Sequence, residues 1–287
     1  MNTHDPSSLL RGAVLAAFAS GLLASSASAG ILFDDFDGGA VDGAVWAVRS
    51  TSGSATVGDG AITFALASTS TSQRSLVVSR AMDFNPFAEK LTISFGGLVL
   101  GGSSAEDQPN WGNTFYAGVG RASVDTGGEL TTTVLNGYSN VGNGYESALG
   151  LNVRRSDTAV ILAIIDRNSE NHTTTNLTLS GVPTDVVWEI DGAAKTWSIT
   201  LTGATFSDSG DASATGSFYR FNETGLLVSE DIVSRLFFGA INVGNLVDPT
   251  TVTLDSVGVG AIPEPAGAAL LASGLVGAAV ITRRRRG

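Results

Sequence analysis

The chain has 287 residues, with 36 Gly, 60 Ser plus Thr, two Lys, two His, two Met and no Cys. The lack of Cys excludes a disulfide framework, thiol catalysis and Cys-based zinc sites. Only 15% of residues are charged and the formal net charge is −11, which excludes a cationic nucleic-acid binder.

Residues 1–29 read as a secretory signal peptide. Arg11 is the positive charge before an apolar run from Ala13 to Ala24, and Ala27-Ser28-Ala29 forms an A-x-A cleavage signal, so cleavage is expected before Gly30. Residues 30–262 then form the exported part, with 11 Lys and Arg against 25 Asp and Glu, a net charge of −14. Such a domain stays soluble by self-repulsion and is expected to avoid anionic lipid or polysaccharide unless divalent cations bridge the two.

Within it no long helical period occurs; short β-type runs alternate with Gly, Asn, Asp and Ser clusters. Strands are predicted at Ala61–Leu66, Arg74–Arg80, Leu91–Leu100, Thr114–Arg121, Ser147–Arg154, Ala159–Asp166 and Thr173–Ser180. Others follow at Asp185–Ile190, Thr196–Thr202, Ala214–Phe221, Arg235–Ile241 and Thr251–Val259. So many strands with no Pro/Ser-rich linker predict an all-β fold, a single two-sheet antiparallel sandwich. Val57-Gly58-Asp59-Gly60-Ala61 and Asp191-Gly192-Ala193-Ala194 carry hairpin-turn chemistry. Alternation around the second turn places Trp188 and Trp197 in the core.

The opening Ile31-Leu32-Phe33-Asp34-Asp35-Phe36-Asp37-Gly38, with Trp46 and the Gly58-Asp59-Gly60 turn, resembles the start of concanavalin A-like lectin/glucanase domains. Thr251–Val259 is similar to their closing strand. The resemblance implies a jelly roll whose last strand lies close to its first.

It also makes glycoside hydrolysis a function to test, since retaining hydrolysis needs two carboxyl groups about 5 to 5.5 Å apart. Laminarinase-type enzymes of this fold carry Glu-x-Asp-x(-x)-Glu. Here Glu189-Ile190-Asp191 is followed by Gly192, Ala193 and Ala194, so the acid/base Glu is missing and Asp191-Gly192 reads as a turn. His172, the single histidine after signal removal, falls in the polar stretch Asn168–Thr173, which reads as a loop tip. No catalytic residue is assigned, and the expectation is a protein that is not an enzyme.

Calcium is a candidate cofactor through loop oxygens. Asp34, Asp35 and Asp37 are the candidate ligands, with Asp208 and Asp211 a second group, against a reading of all five as turn carboxylates that cap backbone N–H groups. Glycan binding needs aromatic platforms beside planar polar groups. Trp111 in Glu106–Asn113, and Tyr138 and Tyr145 in Asn136–Tyr145, are the candidate stacking residues.

Residues 263–287 begin Pro263-Glu264-Pro265, continue as an apolar run over 266–282 and end Arg283-Arg284-Arg285-Arg286-Gly287. At 1.5 Å per residue the run rises about 25 Å as a helix, at the lower limit for a membrane span. The arginines are expected to stay cytoplasmic. Triplet, helix and basic tail together resemble the PEP-CTERM sorting signal. The resemblance implies an exosortase as partner beside the export machinery, transient anchoring in the inner membrane, and delivery to the cell envelope or extracellular matrix. The same helix without processing would make a permanent single-pass anchor.

Overall fold

Apolar alternation sets most of the strands. In Ala61–Leu66 the side chains of Ile62, Phe64 and Leu66 are buried and the intervening ones half-buried, and Asp185–Asp191 repeats the pattern with Val186, Trp188 and Ile190. The computed structural model describes residues 30–50, 53–67, 73–80, 82–102, 113–123, 147–155, 159–168, 171–223, 232–242 and 249–261. All of them lie in the compact unit Gly30–Ile262.

In chain order the strands are β1 (Gly30–Asp34), β2 (Trp46–Ser50), β3 (Gly53–Gly58), β4 (Ala61–Leu66), β5 (Gln73–Ser79) and β6 (Lys90–Gly96). They continue as β7 (Val99–Gly102), β8 (Asn113–Ser123), β9 (Ser147–Arg155), β10 (Val160–Asn168), β11 (His172–Leu179) and β12 (Asp185–Asp191). The last are β13 (Thr196–Thr202), β14 (Ser213–Ser217), β15 (Ile232–Asn242), β16 (Thr250–Leu254) and β17 (Ser256–Ala261). A six-stranded sheet runs β1-β17-β6-β12-β13-β14, a seven-stranded sheet β11-β10-β9-β8-β15-β5-β2, and a four-stranded sheet β3-β4-β16-β7. Their pairings are antiparallel.

Three sheets replace the two expected, and the reason is one bend. β6 pairs with β17 up to Gly96↔Ser256, and β7 with β16 from Val99↔Thr253, so the same two chain segments pair on both sides of Gly97-Leu98 and Asp255. Gly97 has φ +66, and a Cβ there would overlap the Asp255 carboxylate. Runs 91–100 and 251–259, expected as single strands, are each broken in two at that point. The six- and four-stranded sheets therefore form one bent layer. Phe95 from the first and Phe64 from the second both pack on Phe238 of β15, with ring centroids 5.9 and 5.8 Å away. Trp46 stands edge-on to the same ring at 5.1 Å. Burying a ring of this size contributes roughly 1.5–3 kcal/mol, and one contiguous core joins all three sheets.

β1 pairs with β17, Phe33 opposite Gly258, so the closing strand does lie beside the first. Asp59 and Gly60 both take positive φ, 55 and 72, as a two-residue type I′ hairpin requires between β3 and β4. Trp188 and Trp197 are buried as expected.

The seven-stranded sheet is buried on both faces. Ala117, Val119, Leu151, Ile164 and Phe238 belong to the core, whereas Leu76, Val78, Tyr116, Ala163, Ile165, Phe237 and Ile241 form a second buried set outside it. This explains why β10 reads as an unbroken apolar run instead of an alternating one. On this outer face the ring of Phe237 covers Gly118, and the Tyr116 hydroxyl lies against Gly150.

Candidate functional site

The candidate stacking residues Trp111, Tyr138 and Tyr145 lie outside the described residues, as do Pro263, Glu264, Pro265 and Arg283–Arg286 of the expected sorting signal. The candidate calcium carboxylates are engaged in local hydrogen bonding. Asp34 accepts the indole N–H of Trp46 at 2.6 Å through Oδ2 and the Phe36 amide at 2.9 Å through Oδ1, and Asp35 Oδ1 accepts the Asp37 amide at 3.4 Å. Among the described residues no group of three or more His, Asp or Glu is arranged to hold a metal ion, and the bonds of Asp34 and Asp35 are those of carboxylates that cap backbone and indole N–H groups. His172 opens β11 and pairs with Arg167, exposed, so it begins an edge strand and is not at the tip of the loop.

Glu189 and Asp191 point to the same side of β12, as the two-residue period requires. They line a groove of about 520 Å3 together with Lys90, Ser198 and Ser217. Ser198 Oγ donates to Glu189 Oε2 at 2.8 Å, and the Ala194 amide donates to Asp191 Oδ1 at 2.8 Å. The second bond closes the β12–β13 turn, so Asp191 has the hairpin role read from the sequence. Gly192 is required there, since a Cβ would overlap the backbone at Pro86 and Phe87.

A further feature is the segment 218–223. The sequence reading continued β14 through Phe221, but pairing stops at Ser217 and the chain turns away. The cause is Asp166, a buried carboxylate at the end of β10. It accepts the amide N–H of Tyr219 at 2.8 Å and that of Arg220 at 3.0 and 2.9 Å, one to each oxygen, and it also takes the Phe221 amide. A carboxylate that takes three amide donors substitutes for strand pairing and fixes the segment. Phe218 and Phe221 turn inward, 3% and 1% exposed, and Phe221 packs on Phe87 at 4.8 Å. Asn222 Nδ2 donates to the Tyr219 carbonyl at 2.7 Å.

Between these two anchors the Tyr219 ring stands 60% exposed, with the Arg220 guanidinium 4.8 Å from its centroid. The arrangement is a rigid aromatic face with a planar cation on it, one that can stack on an apolar ring face while the cation and phenol supply hydrogen bonds. Sequence reasoning missed Tyr219 because it sat inside a run taken for strand. Asp166 was the available signal, a lone acid ending an apolar strand.

No protein-family model matches the chain, and no curated protein matches it significantly in sequence. Among solved structures it is similar to the lectin UEA-II complexed with galactose, at 15% identity and TM-score 0.44, covering 80% of this chain and 97% of that one. It is also similar to the binding domain of botulinum neurotoxin DC in complex with rat synaptotagmin II, at 12% identity and TM-score 0.42, covering 80% of this chain and 48% of the other. A third likeness is to the GH43 BlXynB protein from Bacillus licheniformis, at 10% identity and TM-score 0.45, covering 80% and 39%. The chain thus spans about half the length of the neurotoxin chain it matches.

Proposed function

We propose that this is an exported protein, delivered to the cell envelope or extracellular matrix through its PEP-CTERM-like C-terminus, whose concanavalin A-like sandwich is a non-catalytic glycan-binding module. The observation that carries the binding role is Tyr219, an exposed ring on a segment that Asp166 and two buried phenylalanines hold still. An aromatic platform fixed before binding loses little conformational entropy when a sugar stacks on it. Affinity electrophoresis of the full-length protein through gels with dextran, xylan or polygalacturonate tests this. Retardation that Tyr219→Ala abolishes without lowering the thermal midpoint is expected; a wild-type protein retarded by none of them overturns the reading.

For delivery, the support is the ordered set of triplet, apolar run and four arginines. Intact mass of the mature chain should show loss of Arg283–Arg286, and replacing Pro263-Glu264-Pro265 by alanines should restore them. A mature wild-type chain that retains the arginines is a permanently anchored surface protein instead.

One observation favours a second reading, a carbohydrate-active enzyme: Glu189 and Asp191 share a groove with Lys90. Release of reducing sugar from a polysaccharide that Glu189→Gln abolishes would support it.

A further inference from the structure

The outer face of the six-stranded sheet carries polar side chains in rows that cross the strands. Lys90 of β6 lies opposite Asp191 of β12, Asp191 opposite Thr196 of β13, and Thr196 opposite Ser217 of β14. Two residues along the strands, Glu189, Ser198 and Thr215 form a second row. Alternation sends Ile190 and Trp197, between the rows, to the core, so both rows face away from it. These side chains line the groove of about 520 Å3. Lys90, Thr196, Thr215 and Ser217 are exposed and Glu189, Asp191 and Ser198 half-buried, so the groove is open to solvent.

Its carboxylates are fixed before any ligand arrives. The Ser198 hydroxyl and the Ala194 amide each hold one oxygen, of Glu189 and of Asp191, which leaves Glu189 Oε1 and Asp191 Oδ2 as acceptors. Lys90 Nζ and the hydroxyls of Thr196, Thr215 and Ser217 supply donors around them. Sugar hydroxyls, which both donate and accept, match such a mixed set. Adjacent strands stand about 4.8 Å apart and the two rows about 7 Å apart along them. The first step is comparable to that between successive units of an extended pyranose chain, so a linear chain laid across the sheet meets polar groups at each strand. An acidic chain is disfavoured, because two carboxylates face one ammonium in the groove and the domain carries a net charge of −14. Tyr219 follows Ser217 by two residues, so their Cα atoms are at most about 7 Å apart. The segment that carries the aromatic platform therefore adjoins the groove at β14.

We infer that the groove takes a linear neutral glycan, laid across β6, β12, β13 and β14 with about one unit per strand, whose hydroxyls are held by Glu189 and Asp191. This rests on the glycan-binding reading above and names the ligand as an uncharged, extended chain.

The test is calorimetric titration of the full-length protein with cellotetraose, xylotetraose and isomaltotetraose, with their three disaccharides and with tetragalacturonate. At least one neutral tetraose should bind about tenfold or more tighter than its disaccharide and than tetragalacturonate, as two or more further hydrogen bonds predict. The Glu189→Ala/Thr215→Ala double variant should weaken that binding about tenfold or more with its thermal midpoint retained. Thr215→Arg, which fills the groove from an exposed position, should abolish it. A tetraose that binds no tighter than its disaccharide, tetragalacturonate that binds as tightly as the neutral chains, or neutral binding that both variants leave unchanged overturns the inference while the glycan reading stands. Tetraose binding that the groove variants remove and Tyr219→Ala leaves unchanged upholds the groove and overturns the role of the platform. Wild-type protein that binds none of the seven overturns both.

Discussion

Asp166 and Arg220 are 54 residues apart, yet both oxygens of the Asp166 carboxylate accept the Arg220 amide, at 3.0 and 2.9 Å. Together with the Tyr219 and Phe221 amides, this makes one side chain the reason that a segment outside the sheets has a fixed shape. The exposed Tyr219 ring depends on it. Asp166→Ala is expected to lower stability by about 3 kcal/mol, because several amides are left without an acceptor in a place water reaches poorly. Urea denaturation measures this. Hydrogen exchange should also quicken at residues 219–221 specifically, and Asp166→Asn, which retains one carbonyl oxygen, should fall between. A loss below about 1 kcal/mol for the alanine variant would mean that Phe218 and Phe221 hold the segment without the carboxylate.

How far the sequence discloses this architecture differs from one element to the next. The β12–β13 hairpin was legible in full, because alternation around Trp188 and Trp197 and the Asp191-Gly192 turn are local signals. The break at Gly97 was not, although Gly96-Gly97 interrupts the alternation of Leu91, Ile93 and Phe95, because the partner that fixes it, Asp255, is far along the chain. The shape of the segment 218–223 was hidden for a related reason. Tyr219 lies in a stretch whose amides are taken by Asp166, a carboxylate 53 residues away that no local pattern announces. Local pattern reveals strands; it does not reveal which strands are neighbours.

Asp34 is best explained as the partner of Trp46, whose side chain is 1% exposed. Asp34→Ala should cost about 1–3 kcal/mol, the usual penalty for stranding a buried donor. The tryptophan emission should change with it. Excess Ca2+ should leave the thermal midpoint of the wild-type protein unchanged, whereas a clear rise that Asp34→Ala removes would restore the calcium reading.

The contact of Phe237 with Gly118 across β15 and β8 is tight enough that a Cβ on Gly118 would enter the ring. Gly118→Ala is therefore expected to destabilise the protein by about 1–3 kcal/mol through overpacking. Phe237→Leu, which removes part of the ring, should relieve much of that cost in the double variant, although alone it destabilises. Thermal denaturation of the four proteins forms the cycle. Additive effects would show that the glycine is required for some reason other than this ring.

Gly97 holds the bend that divides the inner layer into two sheets. Its φ of +66 strains any residue with a Cβ, and that Cβ would also displace the Asp255 carboxylate. The Gly97 amide donates to Asp185 Oδ1 at 3.2 Å and the Asp255 amide to the Gly96 carbonyl at 2.9 Å, so the bend is tied on both sides. Gly97→Ala should cost about 1 kcal/mol for the backbone conformation and more for the displaced carboxylate. Asp255→Gly leaves room for the new methyl group and should recover the second part only. If Gly97→Ala is as stable as the wild type, the two inner-layer sheets join without the bend, and the continuous strands 91–100 and 251–259 read from the sequence would be correct after all.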